Sequence, residues 1–385
     1  MTTKKSDLAR TANALVADGK GILAADETVR TVTKRLGAQR VESTPDSRRA
    51  YREMFFTTPG IGEFISGVIL QDETIHQRDP DGTALPDLLI EQGIIPGIKV
   101  DTGAKPLAGA PGETVTEGLD GLRERLEDYK KLGARFAKWR AVITVSDTLP
   151  STTCVHVNAH ALARYAAICQ EQNVVPIVEP EVLMDGSHTI ERCEEVTNTV
   201  LNAVFNELFD QRVLLEGMLL KPNMVISGTE CVDQVSVDEV VEATLRSLIR
   251  HVPPAVPGIV FLSGGQDPLT ATRHLNAINQ LEGRKPWKLS FSFGRALQDE
   301  ALDAWRGKRS NLETGQQLFY HRAQCQSAAA LGTYTNAMEK RADRSLKGAE
   351  PRKSRPVHPK ASTEQPWRRR TEASRRGKNR GSRTR

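Results

Sequence analysis

The chain has 385 residues, with 53 Lys and Arg against 48 Asp and Glu for a formal net charge of +5, and is 38% hydrophobic and 26% charged; that fills a large core in one to three globular domains. Charge is unevenly placed, because residues 341–385 hold sixteen Lys and Arg and four Asp and Glu, or +12, which leaves −7 on residues 1–340, so only the last eighth has the character of a polyanion-seeking chain. Five scattered cysteines (Cys154, Cys169, Cys193, Cys231, Cys325) with no C-x-x-C, an N-terminus without an apolar signal core, and no run of eighteen apolar residues disfavour a disulfide framework, a zinc knuckle, secretion and membrane spanning, and point to a reducing cytoplasm.

Eight short apolar runs follow one another along the chain. They begin at residues 21, 66, 96, 136, 175, 217, 259 and 289, and each is followed by Gly, Pro or a charge and then by a helical pattern. The runs include Gly21-Ile22-Leu23-Ala24-Ala25, Phe136 to Val142, Val175 to Glu179, Gly217-Met218-Leu219-Leu220-Lys221 and Leu289 to Phe293. Between them, Cys193, Val196, Val200, Val204 and Leu208 recur at steps of three and four behind Glu191, Glu194 and Glu195, and Val240, Leu245, Leu248 and Ile249 behave similarly. Eight strands alternating with helices over about 300 residues fit a closed α/β (β/α)8 TIM barrel across residues 1–340. The alternative, an open doubly wound sheet, calls for G-x-G-x-x-G after the first strand, where Ala24-Ala25-Asp26-Glu27 stands instead. Apolar periodicity stops after Gly332, and residues 341–385 contain only Leu346, Val357 and Trp367 as large apolar residues. That segment is expected to be a basic, disordered C-terminal tail.

In a barrel of this kind the active site lies at the C-terminal ends of the strands. The charges found there are Asp26, Lys99, Lys138, Arg140, Glu179, Glu181 and Lys221. Strand alternation puts Lys138 with Arg140, and Glu179 with Glu181, on common faces if the strands extend that far. Any one lysine alone reads as a snorkelling or ion-paired side chain. A whole ring of ionisable strand ends is costly to gather in one mouth unless chemistry uses it.

Lysines and carboxylates without a metal-ligand cluster point to amine chemistry on a carbonyl. A neutral lysine attacks a ketone, loses water to give an iminium, and draws electrons from a breaking carbon–carbon bond. The obstacle is the ordinary lysine pKa near 10.4, and lowering it by about three units takes roughly 4 kcal/mol. A second ammonium about 4 Å away supplies that at an effective dielectric of 20. Lys138 beside Lys221 meets the requirement, less whatever Glu181 returns as a counter-charge. The carboxylates then act as proton shuttles, one kept protonated by its neighbour. The seventh and eighth runs end in Leu262-Ser263-Gly264-Gly265-Gln266 and Phe291-Ser292-Phe293-Gly294-Arg295, whose backbone N–H groups, hydroxyls and guanidinium suit a phosphate.

At these residues the sequence resembles the class I fructose-bisphosphate aldolases. The matching segments are Gly19 to Glu27, GIKVD ending at Asp101, PLAG, ET-T-GLDGL near Gly121, FAKWR, PIVEPE, LLKPNM, PPAV-GI-FLSGGQ and FS-GRAL, in family order over residues 8 to 335. The resemblance implies a homotetrameric, cofactor-free and metal-independent lyase of glycolysis and gluconeogenesis. It would cleave D-fructose 1,6-bisphosphate to glycerone phosphate and D-glyceraldehyde 3-phosphate, with fructose 1-phosphate or a sedoheptulose bisphosphate as the nearest alternative substrates. It implies Lys221 as the Schiff-base residue and Glu179 as the main general acid/base, assisted by Asp26, Lys138 and Glu181. Phosphate contacts fall on Ser263, Gly264, Gly265, Ser292, Gly294 and Arg295 at one end of the sugar. Arg35, Lys99 and Arg140 match positions near the other end, and Arg48 a further basic position that reads equally as a surface helix charge.

Two departures stand out. Arg30, in Ala25-Asp26-Glu27-Thr28-Val29-Arg30-Thr31, replaces a small residue beside the second phosphate position, and the last tyrosine is Tyr334, which matches the body, so the function of the terminal tyrosine that assists proton exchange in the animal family members is expected to be absent or supplied otherwise. The basic tail has three readings: a solvated segment, a weak polyanion-binding arm, or a terminus changed by a shifted reading frame. A binding or scaffold protein that keeps the barrel is the alternative from another class. His156 and His160 have i, i+4 spacing but lack the glutamate of H-E-x-x-H, so they read as polar residues of a helix start and no metal site is expected. Trp139 and Trp305 read as packing residues.

Overall fold

The computed structural model describes residues 2–283 and 285–340. The expectation for residues 341–385 lies outside the described residues. The first strand, β1 (Gly21–Ala24), is followed by β2 (Ile65–Leu70), β3 (Ile95–Lys99), a hairpin β4 (Gly103–Pro106) and β5 (Thr114–Glu117), then β6 (Phe136–Ile143), β7 (Val175–Val182), β8 (Leu219–Leu220), β9 (Gly258–Phe261) and β10 (Lys288–Phe293). Eight of these close in the order β1-β10-β9-β8-β7-β6-β3-β2, every pair parallel. Because β1 pairs with both β2 and β10, the two ends of the strand order meet and no barrel strand is left as an edge, which rules out the open sheet.

Twelve helices accompany the strands among the described residues: α1 (Thr2–Leu15), α2 (Val29–Ala38), α3 (Pro45–Phe56), α4 (Asp72–His76), α5 (Leu85–Glu91), α6 (Leu122–Lys131), α7 (Thr152–Glu171), α8 (Ile190–Asp210), α9 (Val237–His251), α10 (Pro268–Gln280), α11 (Arg295–Trp305) and α12 (Leu312–Ala330). In α8 the residues Cys193, Val196, Val200, Val204 and Leu208 are all buried, as their spacing requires. In α9, Val240, Leu245 and Leu248 are buried while Ile249 points to solvent, one step past the apolar stripe. His156 and His160 lie in the first half of α7, and His160 Nδ1 lies 3.0 Å from Glu207 Oε2. Trp139 stacks on Tyr165, and Trp305 packs beside Tyr51.

The barrel interior is packed from below. Leu8, Ala12, Leu15 and Val16, at and just beyond α1, join Ile22, Ile69, Phe136, Ile177, Leu219 and Val260 from the strands in one cluster. Gly97 makes room for the Phe136 ring, because a Cβ there would lie 2.3 Å from ring carbons. With α1 filling the N-terminal end, the opposite rim is left open for polar side chains. β8 is the shortest strand. A 3-10 turn, Leu215–Gly217, runs into it, and Pro222 follows Lys221 at once. Lys221 N still donates to the Val178 carbonyl at 2.8 Å, so Lys221 stands where the ladder ends.

The β4–β5 hairpin braces the end of β6. Thr116 Oγ1 donates to the Arg140 carbonyl (2.8 Å) and Thr114 Oγ1 to the Val142 carbonyl (3.2 Å). These bonds help carry β6 as a regular strand past both Lys138 and Arg140, and its partner β7 spans Glu179 and Glu181.

Candidate active site

The strand ends converge on a pocket of about 260 Å³ at the C-terminal rim. Asp26 reaches it from two residues beyond β1, Lys99 from the end of β3, Lys138 and Arg140 from β6, Glu179 and Glu181 from β7, and Lys221 from the residue after β8. At its floor the charges form a chain. Asp26 Oδ2 lies 2.7 Å from Lys138 Nζ, Lys138 Nζ lies 3.2 Å from Glu179 Oε2, and Glu179 Oε1 lies 3.1 Å from Lys221 Nζ. All four side chains are nearly inaccessible to solvent.

Burial disfavours charge, so these groups ionise only because they meet their opposites. For Asp26, burial pushes the carboxyl up, but Lys138 above all, with Lys221 and Lys99 behind it, brings it down to about 2. Glu179 is likewise pushed up by burial and held below the ordinary carboxylate range by Lys138, Lys221 and Arg140. Burial pulls the Lys138 ammonium down, and Asp26 and Glu179 more than reverse it, so its pKa lies above the ordinary lysine value. Two expectations change as a result. Neither carboxylate is kept protonated by its neighbour in the free protein, since both are outweighed by ammonium groups. The carboxylate standing between Lys138 and Lys221 is Glu179, whereas Glu181 pairs with Arg140 Nε.

Around this chain are groups suited to anions. Ser263, Gly264, Ser292, Gly294 and Arg295 line one side of the pocket. Gly294 precedes the N-terminus of α11, and Gly264 holds φ +61°, a left-handed conformation that glycine adopts freely. Ser292 Oγ is buried with no hydrogen-bond partner among the described residues, although its residue lines the cavity. Gly265 lies just outside the lining, with φ +99° and the Arg295 guanidinium 3.1 Å from where its Cβ would be.

Thr28, Thr31 and Arg35 stand on another part of the wall, at and within α2. Thr28 caps α2 by accepting from Thr31 N at 3.3 Å, and the two hydroxyls lie 3.0 Å apart. Arg30, between them, is exposed, and its side chain makes no hydrogen bond or ion pair among the described residues. Arg48 is not brought to the pocket: its guanidinium is buried against Glu73, with Nε 2.9 Å from Oε2. Tyr334 is part of the body, its hydroxyl donating to Glu339 at 2.8 Å.

Several contributors escaped the strand-end argument. Asp101 accepts from Lys99 Nζ and, through Oδ2, from the Arg140 backbone N–H at 3.2 Å, so it holds one cation of the wall and the backbone that carries another. Its signal was its place two residues past Lys99 on the same strand end. Glu27 receives Arg35, and Gln298 accepts from Arg35 Nη1 at 2.7 Å. Among the described residues one group has the composition of a metal site, His321 with Cys325 and Glu339. It lies outside the pocket lining, and its carboxylate is already held by Arg322 Nη1 (3.1 Å) and Nη2 and by the Tyr334 hydroxyl.

Comparison with known proteins gives a consistent answer. Residues 7–350 match the family described as glycolytic, fructose-bisphosphate aldolase class-I. A probable fructose-bisphosphate aldolase class 1 of Xanthomonas campestris pv. campestris is 56% identical over 328 residues, covering 85% of this chain and 98% of the relative. The cytosolic fructose-bisphosphate aldolase 6 of Arabidopsis thaliana is 55% identical over 316 residues, 82% of this chain and 88% of the relative. Among solved structures, fructose-bisphosphate aldolase from Plasmodium falciparum, in complex with TRAP and a small-molecule inhibitor, superposes with a TM-score of 0.86 at 48% identity, covering 87% of this chain and 97% of that one.

Proposed function

The chain belongs to the class I fructose-bisphosphate aldolase family, metal-independent Schiff-base lyases that cleave D-fructose 1,6-bisphosphate reversibly to glycerone phosphate and D-glyceraldehyde 3-phosphate, and we propose that its reaction runs through Lys221, with Glu179 as the proton carrier. The observation that carries this reading is the placement of the Glu179 carboxylate between Lys138 Nζ (3.2 Å) and Lys221 Nζ (3.1 Å).

In this scheme the ionised Glu179 takes a proton from the Lys221 ammonium, and the neutral amine attacks the ketose C2 carbonyl. The carbinolamine hydroxyl then leaves as water with the proton returned by Glu179, giving a protonated imine. A carboxylate base removes the C4-hydroxyl proton, the C3–C4 bond breaks, and its electron pair moves to the iminium nitrogen. The products of that step are the aldehyde and an enamine. Asp26 and Glu179 are the two ionised carboxylates suited to that base role, and Lys138, 2.7 Å from Asp26, holds the pair at fixed separation. Glu181 acts through Arg140, which it orients. Ser263, Gly264, Ser292, Gly294 and Arg295, with Gly265 supporting the turn, take the phosphate nearer the ketone. Arg35, Lys99 and Arg140 serve the other. The experiment is borohydride trapping with and without fructose 1,6-bisphosphate, followed by peptide mapping. A substrate-dependent adduct on Lys221 is expected; a folded sample with no adduct there removes the covalent role.

The same reading extends to organisation. The barrel of residues 1–340 carries turnover as a cytoplasmic homo-oligomer, most simply a tetramer, and residues 341–385 add weak polyanion binding. A chain ending at residue 340 should keep its turnover and lose salt-sensitive retention on a polyanion matrix. Light scattering of the full chain reads the oligomer directly.

A further inference from the structure

The segment carrying Asp26 is a short irregular link between β1 and α2, yet its carbonyls are gripped from behind. The grip comes from Arg52 on α3, whose side chain is fully buried (0% exposed). Arg52 Nε donates to the Ala25 carbonyl at 3.2 Å and Nη2 to the Glu27 carbonyl at 2.8 Å, the two residues that flank Asp26. The same guanidinium stands 3.9 Å from Glu27 Oε2 and 3.9 Å from Glu73 Oε2, close enough for charge compensation and beyond hydrogen-bond reach. Arg52 Nη1 and Glu27 Oε2 both remain without hydrogen-bond partners among the described residues. Stability alone accounts poorly for this arrangement. A buried guanidinium costs several kcal/mol to desolvate, and apolar residues of similar volume often do as well. What it adds is a planar fork whose donors fix two carbonyls at once.

The remaining contacts of the link have the same sense. Ala25 N donates to the Ile69 carbonyl (3.1 Å), and Gln298 Nε2 donates to the Ala24 carbonyl (3.2 Å). Arg35 closes the assembly by bonding to the Glu27 carboxylate and to Gln298 Oε1 while its guanidinium lies over the Tyr51 ring.

We propose that Arg52 is a positioning residue for the aldol reaction: by clamping the carbonyls of Ala25 and Glu27 it holds the Asp26 carboxylate against Lys138 Nζ. The proposal rests on the reading of Asp26 as part of the catalytic machinery. Arg52 does not line the pocket and touches no reacting atom, so its effect on the reaction passes through Asp26.

A double-mutant cycle with Arg52→Lys and Asp26→Asn tests it. Lysine keeps the charge but lacks the fork that reaches both carbonyls. R52K is expected to lower kcat for fructose 1,6-bisphosphate cleavage on the order of 10- to 100-fold, the size of a catalytic group displaced by about 1 Å. KM should stay within about twofold, because the phosphate groups are untouched. Adding R52K to D26N should cost little more than D26N alone, since the clamp has lost what it positions. Independent losses that multiply, or a rise in KM with kcat unchanged, overturn the proposal. If D26N itself leaves kcat intact, the catalytic reading of Asp26 fails and the positioning role goes with it. Should R52K not fold, Arg52→Gln, which keeps side-chain N–H donors without the charge, runs the same cycle; failure of both to fold assigns Arg52 to stability and overturns the proposal.

Discussion

Replacing Lys138 by Met removes the ammonium that Asp26 and Glu179 share. The Asp26 carboxyl is brought from 3.8 to about 2 against the opposing effect of burial, with Lys138 the largest of the charges responsible. That shift of nearly two units corresponds to about 2–3 kcal/mol of stabilisation at neutral pH, and Glu179 adds a contribution of the same sign. Breaking a buried pair from one side typically costs about 3–5 kcal/mol, which we take as the expected loss for K138M at pH 7. Linkage fixes how the loss varies with pH. In the native chain the Asp26 contribution is fully present above pH 3.8 and disappears as pH falls through about 2. In the variant, burial is opposed only by the remaining cations, so the folded state binds protons more readily than the unfolded chain and gains stability as pH falls. The difference between the two proteins is therefore widest near pH 7 and narrows toward pH 4. Urea unfolding followed by tryptophan fluorescence at pH 7, 5.5 and 4 measures it, with Trp139 next to the substituted residue in β6 as a local reporter. A difference that stays flat or widens on acidification refutes the electrostatic account.

Ser292→Ala should leave thermal stability within about 0.5 kcal/mol of the parent, because the buried hydroxyl has no partner to lose; the same change should raise KM for fructose 1,6-bisphosphate several-fold in steady-state assays. Gly97→Ala places a methyl group 2.3 Å from the Phe136 ring and should destabilise by about 1–3 kcal/mol in thermal melts, at a site remote from the barrel mouth.

The fold was legible because its signal is local. Each apolar run of four to eight residues bounded by Gly, Pro or a charge became a barrel strand, even at Gly217 to Lys221, where only Leu219–Leu220 pair regularly. The β4–β5 hairpin went unread for the same reason. Gly103-Ala104-Lys105-Pro106 is short, largely exposed and without alternation, and it is held by hydroxyl contacts from Thr114 and Thr116 to β6 that no local pattern announces. Positions at strand ends were equally readable, since chain order dictates that Asp26, Lys138, Glu179 and Lys221 share one rim.

Pairing among those charges was not readable, because it is set through space. Arg35 meets Glu27 eight positions away and Asp299 264 positions away, and Arg140 meets Glu181 from the neighbouring strand, whereas Lys99 with Asp101 two residues on is the one local pair. Each of these cations is already compensated before a ligand arrives. Arg295, by contrast, makes no ion pair among the described residues, and it begins α11 beside the unpartnered Ser292 hydroxyl. The two ends of a bisphosphate therefore meet different energetics. At the Arg295 end, on the proposed assignment, the phosphate would gain a guanidinium that is in no direct ion pair among the described residues, a helix N-terminus and an unused donor, with little to displace. At the Arg35 end it must compete with Glu27 and Asp299 for donors, so part of its attraction is cancelled by the repulsion of carboxylates it draws near. On the proposed phosphate assignment, a ketose phosphate would thus be held mainly by the group nearer its carbonyl, the end that the proposed nucleophile Lys221 attacks, and the far phosphate would add selectivity more than affinity.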